Sequence, residues 1–317
     1  MILYLKSLSI LLLLQLSNFE FRYTLEDYKI IKENLNTSEI EIISFKNIDN
    51  INLNSYELLV KNEEYYFINK ASGLVYKIQD SSLNRIDNSL DNRLLIDSYI
   101  FKHNDTIFRY GGYGFWSQRD FMIYFDESIN EWEIYKINTN SYDPIGSYSG
   151  VYFKEENDIY FIGGKKVNEI NKLESIYNED VIKFNFGSRS FEYLGNLNLN
   201  FDISSLIVKD DEGFAINNGS QILYINPSEN KILQFDKTPL LLNLKSVSNN
   251  INNNYFFNKS YFLEVYENQD FKTKILEVSK SDFFSNNIIE SKLYKRKTLD
   301  SINVSTLFLI IIFIILI

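Results

Sequence analysis

The sequence predicts an all-β fold assembled from a repeated unit, and three observations carry that expectation. The first is composition: 45% of the 317 residues are hydrophobic and 16% aromatic, too apolar a chain to stay unfolded. Its 23 Tyr and 25 Phe, set against 3 Pro and 12 Gly, favour strands joined by Asn/Asp turns over helices. The second is a recurring turn register, an Asp or Asn followed six residues later by a large apolar residue, at Asp80 to Ile86, Asp126 to Trp132, Asn185 to Phe191 and Asn226 to Ile232, spaced 46, 59 and 41 residues apart. The third is that apolar segments of strand length precede each of these turns in the same order.

Taken along the chain, the segment directly before each turn is Leu74 to Ile78, Phe121 to Phe125, Val181 to Phe186 and Ile222 to Ile225. Upstream lie Tyr65 to Ile68, Thr106 to Tyr110, Asp158 to Ile162 and Gly213 to Ile216, and before those Tyr56 to Val60, Ser98 to Phe101, Gly150 to Phe153 and Ser205 to Val208. With the segment after the turn, each unit has four strands. Asn254 to Phe257, Tyr261 to Tyr266 and Lys274 to Val278 form a looser fifth unit, and Ser38 to Phe45 alternates like a strand that completes the last unit or belongs to a sixth. Four short antiparallel strands at this period describe the blade of a β-propeller, in which neighbouring blades bury one another's faces.

Gly111-Gly112 and Gly163-Gly164 end the second strand of their units, Tyr124 and Phe184 sit in the third, and Trp132 and Phe191 open the fourth. These residues resemble the kelch family across about residues 56 to 280. The fourth unit keeps only Asn218-Gly219 near the expected place, and the first has Lys70 and Ile86 where the diglycine and tryptophan would stand. The resemblance implies a closed propeller, here of five to six four-stranded blades. The diglycines follow strands with no helix or Lys-Ser/Thr after them, so they are expected to serve close backbone packing and not phosphate binding.

Several function classes are excluded or disfavoured. A net charge of -10 is the wrong sign for a nucleic-acid binder. No cysteine is present, and His103 is the single histidine, which removes thiolate sites, multi-histidine metal sites and the copper chemistry of galactose oxidase, itself a bearer of kelch blades. His103, in Lys-His-Asn-Asp, is expected in a solvated turn, as are Glu63-Glu64, Glu155-Glu156 and Asp210-Asp211 in the first hairpin turns of their units. No catalytic constellation, metal or cofactor is expected. The binding candidate is the loop Tyr113-Gly-Phe-Trp-Ser-Gln-Arg119, where Tyr113, Phe115, Trp116, Gln118 and Arg119 offer flat rings and a forked cation for a protein or glycan ligand. The alternative is that these rings fold back onto neighbouring blades. The loop Lys165 to Asp180 is polar and charged, a partner contact or a tolerated insertion.

The ends suggest a membrane. Residues 1–17 resemble a signal peptide, with Lys6 before a short apolar run. Residues 24–290 would form the propeller, 291–303 a basic juxtamembrane segment and 304–317 a transmembrane helix cut short, since fourteen residues at 1.5 Å each reach about 21 Å of a roughly 30 Å hydrocarbon core. Lys292, Lys295, Arg296 and Lys297 before the tail favour a cytoplasmic location by the positive-inside rule, whereas a cleaved signal places the propeller outside the cytoplasm. The second reading is preferred because large domains translocate largely regardless of flanking charge. The expected protein is thus a membrane-anchored, non-catalytic binding module. A kelch-type sugar epimerase or mutarotase, with Arg109, Arg119 and a carboxylate in the channel, and a cytoplasmic tail-anchored scaffold are the competing readings.

Overall fold

The structure, a computed structural model, describes residues 21–295 apart from 27, 48, 90–94, 139–140, 245–253, 268–271 and 285–287. Six antiparallel sheets follow one another along the chain as the blades of a β-propeller. Blade I holds β1 (Phe21–Glu26), β2 (Lys29–Asn34) and β3 (Ile40–Ser44). Blade II holds β4 (Tyr56–Lys61), β5 (Glu64–Asn69), β6 (Val75–Gln79) and β7 (Ser82–Arg85). In blade III, β8 (Tyr99–His103) and β9 (Thr106–Tyr110) are followed by a separate hairpin, β10 (Tyr113–Gly114) and β11 (Ser117–Gln118), before β12 (Met122–Asp126) and β13 (Glu131–Ile134) complete the sheet. Blade IV repeats that plan with β14 (Val151–Glu155), β15 (Asp158–Ile162), the hairpin β16 (Lys165–Val167) and β17 (Ser175–Tyr177), then β18 (Asp180–Asn185) and β19 (Ser190–Leu197). Blade V contains β20 (Leu206–Lys209), β21 (Phe214–Asn218), β22 (Gln221–Asn226) and β23 (Lys231–Asp236), and blade VI β24 (Tyr255–Phe257), β25 (Ser260–Glu267) and β26 (Lys272–Ser279). After one helical turn, α1 (Lys280–Phe283), the chain returns. β27 (Ile289–Lys292) then pairs with β23, and β28 (Tyr294–Lys295) with β19.

The strand sequences follow from this stacking. A second strand lies inside its sheet with a neighbouring blade over each face, so both faces must be apolar. Residues 65–68, 107–110, 159–162 and 214–216 are accordingly buried without interruption. An outermost strand has one face toward solvent and alternates; in β13 only Trp132 is buried. Apolar side chains from consecutive blades form a core at each junction from I/II to V/VI. The III/IV junction is mostly aromatic, with Tyr110 and Phe161 ring centroids 4.4 Å apart and Phe184 and Phe191 4.7 Å apart. Blades VI and I meet where the Arg22 guanidinium lies 4.7 Å from the Tyr255 ring.

A repeated hydrogen bond fastens the outer rim. The residue just before the fourth strand of its blade is left-handed in four blades, Ser81, Asn130, Arg189 and Asn230 having φ of 56°, 56°, 52° and 56°. The carbonyl of each accepts an N–H from a segment crossing over from outside the blade. Lys46, Asn88 and Asn138, each in the connection leaving the preceding blade, donate at 2.9, 2.7 and 2.8 Å to the first three. Blade V differs, for Asn230 receives Leu293, between β27 and β28, at 3.2 Å. The Asn230 side chain adds bonds to the Tyr294 N–H and carbonyl at 2.9 and 3.2 Å, and Leu293 and Tyr294 are buried in the IV/V core.

Regular structure therefore runs through Lys295, into the start of the segment the sequence assigns to a juxtamembrane stretch. Among the described residues no helix is long and apolar enough to cross a membrane. The expected signal peptide at 1–17 and transmembrane segment at 304–317 lie outside the described residues.

Candidate functional site

Strands alternate in direction, so the loops between second and third strands share one end of the propeller with the connections between blades. The diglycines open two of those loops. Gly111 and Gly112 have φ of 67° and 100°, and a Cβ on Gly112 would lie 2.9 Å from the Leu95 backbone. Gly163 and Gly164 have φ of 66° and 81°, and a Cβ on Gly164 would sit 2.4 Å from the Tyr148 carbonyl. Left-handed backbone pressed against another chain segment admits glycine and little else. The segments they press on are the connections between blades, and those connections then anchor the next residue. Tyr113 exchanges backbone hydrogen bonds with Ile96 at 2.8 and 2.9 Å, and Lys165 does so with Tyr148 at 2.8 and 3.0 Å.

From these anchors the hairpins β10–β11 and β16–β17 rise side by side. The Gln118 side-chain carbonyl accepts the Val167 N–H at 3.1 Å, the Tyr113 and Tyr148 rings lie 5.4 Å apart, and the Tyr148 hydroxyl bonds the Ser175 hydroxyl. Lys165 is held at 3.0 Å by Asp202, and that bond raises its pKa. At the tip of the first hairpin Phe115 and Trp116 form a two-residue turn with φ of 51° and 65°. Other two-residue turns with both central residues left-handed start on Asn or Asp: Asn62-Glu63, Asp80-Ser81, Asn104-Asp105 and Asn258-Lys259. Asn and Asp tolerate that conformation, whereas bulky rings do not. Phe115 and Trp116 are nevertheless 63% and 62% exposed, and the Arg119 guanidinium stands 6.0 Å from the Phe115 ring.

The second hairpin carries Ile170 and Leu173, 97% and 78% exposed, in a tip shaped by Asn168 and Asn171 accepting the N–H groups of Ile170 and Leu173 at 3.0 and 3.2 Å. Its apolar tip is hard to see in sequence because single aliphatic residues alternate with charges. Over residues 113–119 and 165–177 there are four cations, Arg119, Lys165, Lys166 and Lys172, against the two carboxylates Glu169 and Glu174. The two hairpins themselves thus carry a small excess of cations on an acidic protein, and Asp202 beside Lys165 offsets part of it.

Of the residues singled out in the sequence, Phe115 and Trp116 stand free, Arg119 accompanies them, and Tyr113 and Gln118 are half-buried and hold the two hairpins together. The repeat residues are scaffold. The Trp132 indole N–H reaches back to the Gly73 carbonyl of blade II at 2.7 Å, Phe184 and Phe191 are buried, and Tyr124 is half-buried at the same core.

Two solvated-turn expectations are corrected. His103 is buried and stacks on Phe186 at 3.7 Å, because its strand faces the aromatic III/IV junction; burial, then Lys154, lowers its pKa. Asp210 is buried as well, accepting from the Tyr224 and Tyr261 hydroxyls at 2.7 and 2.6 Å and from the Gly213 N–H at 2.8 Å, with Lys280 at 3.3 Å. It ties blade V to blade VI. The shared carboxylate, after burial itself, pushes both phenols far above their ordinary pKa.

Arg109 and Arg119 do not converge. Arg109 is fully buried, donating to the Leu95, Ala71 and Lys70 carbonyls at 2.9, 3.1 and 3.3 Å and to the Ser98 hydroxyl at 3.1 Å, while Arg119 belongs to the hairpin base. Among the described residues no group of His, Asp and Glu is arranged to hold a metal ion. Compared with known proteins, the chain matches no protein-family model and no curated protein.

Proposed function

We propose that this chain is a non-catalytic recognition module, a kelch-like propeller that meets a protein partner with the tips of its two raised hairpins. The observation that carries the reading is the exposed Phe115-Trp116 pair in a left-handed turn where Asn or Asp opens the comparable turns of this protein. Strain kept at an exposed site points to use of that site. The aliphatic tip beside it, Ile170 and Leu173, favours an apolar groove on a protein over a sugar, which needs flat rings lined with hydrogen-bonding groups. The uncharged run at 304–317 and the apolar run at 1–17 support attachment to a membrane with the propeller outside the cytoplasm. The diglycines and Trp132 support the kelch-like assignment.

Peptide and glycan arrays probed with the wild-type protein and with Trp116→Ala test the reading. A peptide signal reduced at least tenfold by the substitution, with the melting temperature kept, is expected. Peptide binding unchanged by the substitution, or binding to glycans alone, refutes it. Protease accessibility of the propeller in intact cells tests its placement, and protection of the propeller refutes the extracytoplasmic side.

A further inference from the structure

Where the two raised hairpins rejoin their blades, the chain brings carboxylates together. Asp120 stands on the return from β11 to β12, Glu179 and Asp180 on the return from β17 into β18, and Asp143 on the connection from blade III to blade IV. That connection is pressed onto both returns. A Cβ on Gly146 would lie 3.1 Å from the Asp120 Cα, and the Tyr142 N–H donates to the Phe191 carbonyl of β19 at 3.2 Å. The half-buried rings of Tyr142 and Tyr193 lie 5.4 Å apart. Asp120, Asp143 and Glu179 are exposed and Asp180 is half-buried. Among the described residues none of the four has a cation within ion-pair distance. The nearby cations are engaged elsewhere, Lys165 with Asp202 at 3.0 Å and Arg119 with the Phe115 ring.

Beneath these carboxylates ends β9. Tyr110, its last residue, pairs with Met122 two positions beyond Asp120, and its ring lies 5.1 Å from that of Phe191. Tyr110 is fully buried, and its hydroxyl has no hydrogen-bond partner. Burial, then Tyr99, Asp120, Tyr142 and Asp180, push its pKa well above the ordinary value. After burial, Asp180 and Asp143 raise that of Tyr142 in the same way. The orphaned hydroxyl and the unpaired carboxylates thus meet at one end of the III/IV junction. Each is unfavourable alone, and a single cationic donor answers both, because phenol and carboxylate oxygens accept its N–H groups and ring faces attract its charge. A metal ion fits less well, since among the described residues no three acidic or histidine side chains are arranged to hold one.

We propose that this cluster is the second half of the hairpin interface and takes a lysine or arginine side chain of the protein partner. Its N–H groups have Asp120, Asp180 and, beneath them, the Tyr110 oxygen as acceptors, and its stem lies on the Tyr142 ring. The inference rests on the hairpin tips being a protein contact, and it adds that the partner carries a basic residue beside the apolar groove that receives the tips.

The test is NMR titration of the full chain with N-acetyl-lysine amide and, in a second arm, N-acetyl-arginine amide, each against uncharged N-acetyl-norleucine amide at matched ionic strength. Asp120→Asn/Asp180→Asn and Tyr110→Phe are compared with Glu155→Gln/Glu156→Gln at the opposite end of the propeller, and circular dichroism melts confirm that each variant is folded. Saturation at a single site, at least tenfold tighter than norleucine, is expected. It should weaken at least tenfold in the aspartate variant and at least threefold in Tyr110→Phe, and stay unchanged in the control. Tighter binding of the lysine probe assigns an ammonium, and of the arginine probe a guanidinium. Absence of saturation by both cations, equal binding of norleucine, or equal losses in the control overturns the proposal. Peptide-array binding that depends on Trp116 but not on Asp120 and Asp180 also overturns it and leaves the hairpin tips standing, whereas probe binding with no peptide bound refutes the tips and leaves the cation site.

Discussion

Replacing Phe115-Trp116 by Asn-Gly separates the cost of the aromatic turn from its use. Both positions are left-handed, which costs a bulky L-residue about 1–2 kcal/mol and a glycine almost nothing. The two-residue loop between paired Gly114 and Ser117 is the setting in which Asn-Gly is the favoured sequence. Against a relief of about 2–3 kcal/mol stands the loss of the exposed Arg119–Phe115 contact, about 0.5–1 kcal/mol. The expected net gain is about 1–2 kcal/mol, which for a chain of this size raises the melting temperature by about 2–6 °C. The gain registers in global stability because Gln118 couples the hairpin to Val167 on its neighbour. Thermal and urea melts of the variant beside the wild type provide the assay, with peptide-array binding measured on the same samples. An unchanged or lowered midpoint refutes the reasoning, since the rings would then be stabilising the isolated fold and their exposure would need no partner to account for it.

Two further outcomes follow from buried charge. Burial lowers the Lys209 pKa from 10.5 to about 8, so between those values the folded state binds fewer protons than the unfolded state and stability rises with pH. Lys209→Met should remove that rise and stabilise the protein at pH 7 by about 1–3 kcal/mol, a range reduced from 1.36 kcal/mol per pKa unit because water reaches the side chain; urea melts at pH 7 and pH 10 that show an unchanged slope would refute it. Asp210→Ala strands two buried phenols and two N–H groups and should cost about 3–5 kcal/mol, whereas Tyr261→Phe should cost about 1–2 kcal/mol. Comparable losses in the two variants would show that the carboxylate is not the hub.

The blades were legible in sequence because burial on both faces leaves runs such as Tyr65 to Ile68 and Asp158 to Ile162 nearly unbroken by polar residues. The diglycines were legible because left-handed backbone against a neighbouring segment has one chemical solution. Burial contributed by another blade was not legible. His103 and Asp210 sit in polar turns by their own neighbours in sequence, and partners such as Phe186 and Tyr261, 83 and 51 positions away, make them interior. β27 and β28 were hidden for a related reason: Ile-Glu-Ser-Lys and Tyr-Lys are too short and too charged to stand out, and Leu293 gains its importance from Asn230. Lys102, Lys154 and Lys209, which each bond a carbonyl of the preceding blade, did leave a signal, in Phe-Lys-His, Phe-Lys-Glu and Val-Lys-Asp before three successive turns. It becomes meaningful once the innermost strands are known to face one axis. For the candidate site, the composition of residues 113–119 marked the hairpin on which Phe115 and Trp116 are exposed, and the polar, charged loop Lys165 to Asp180 marked its neighbour without revealing the apolar tip at Ile170 and Leu173.

The rim bond at Asn230 has a consequence for the order in which the ring can form. At blades II, III and IV the donor belongs to the connection that precedes the blade, so each seam has its fastener ready when the later sheet emerges during synthesis. The seam between blades IV and V waits for Leu293, which is made after both of those blades and after all of blade VI. A growing chain therefore carries this joint unsealed, with the apolar pocket for Leu293 and Tyr294 open, until β27 and β28 arrive. That interval is when exposed edges and apolar surface are most prone to wrong partners. Closure of that seam is thereby tied to synthesis of the chain through Lys295.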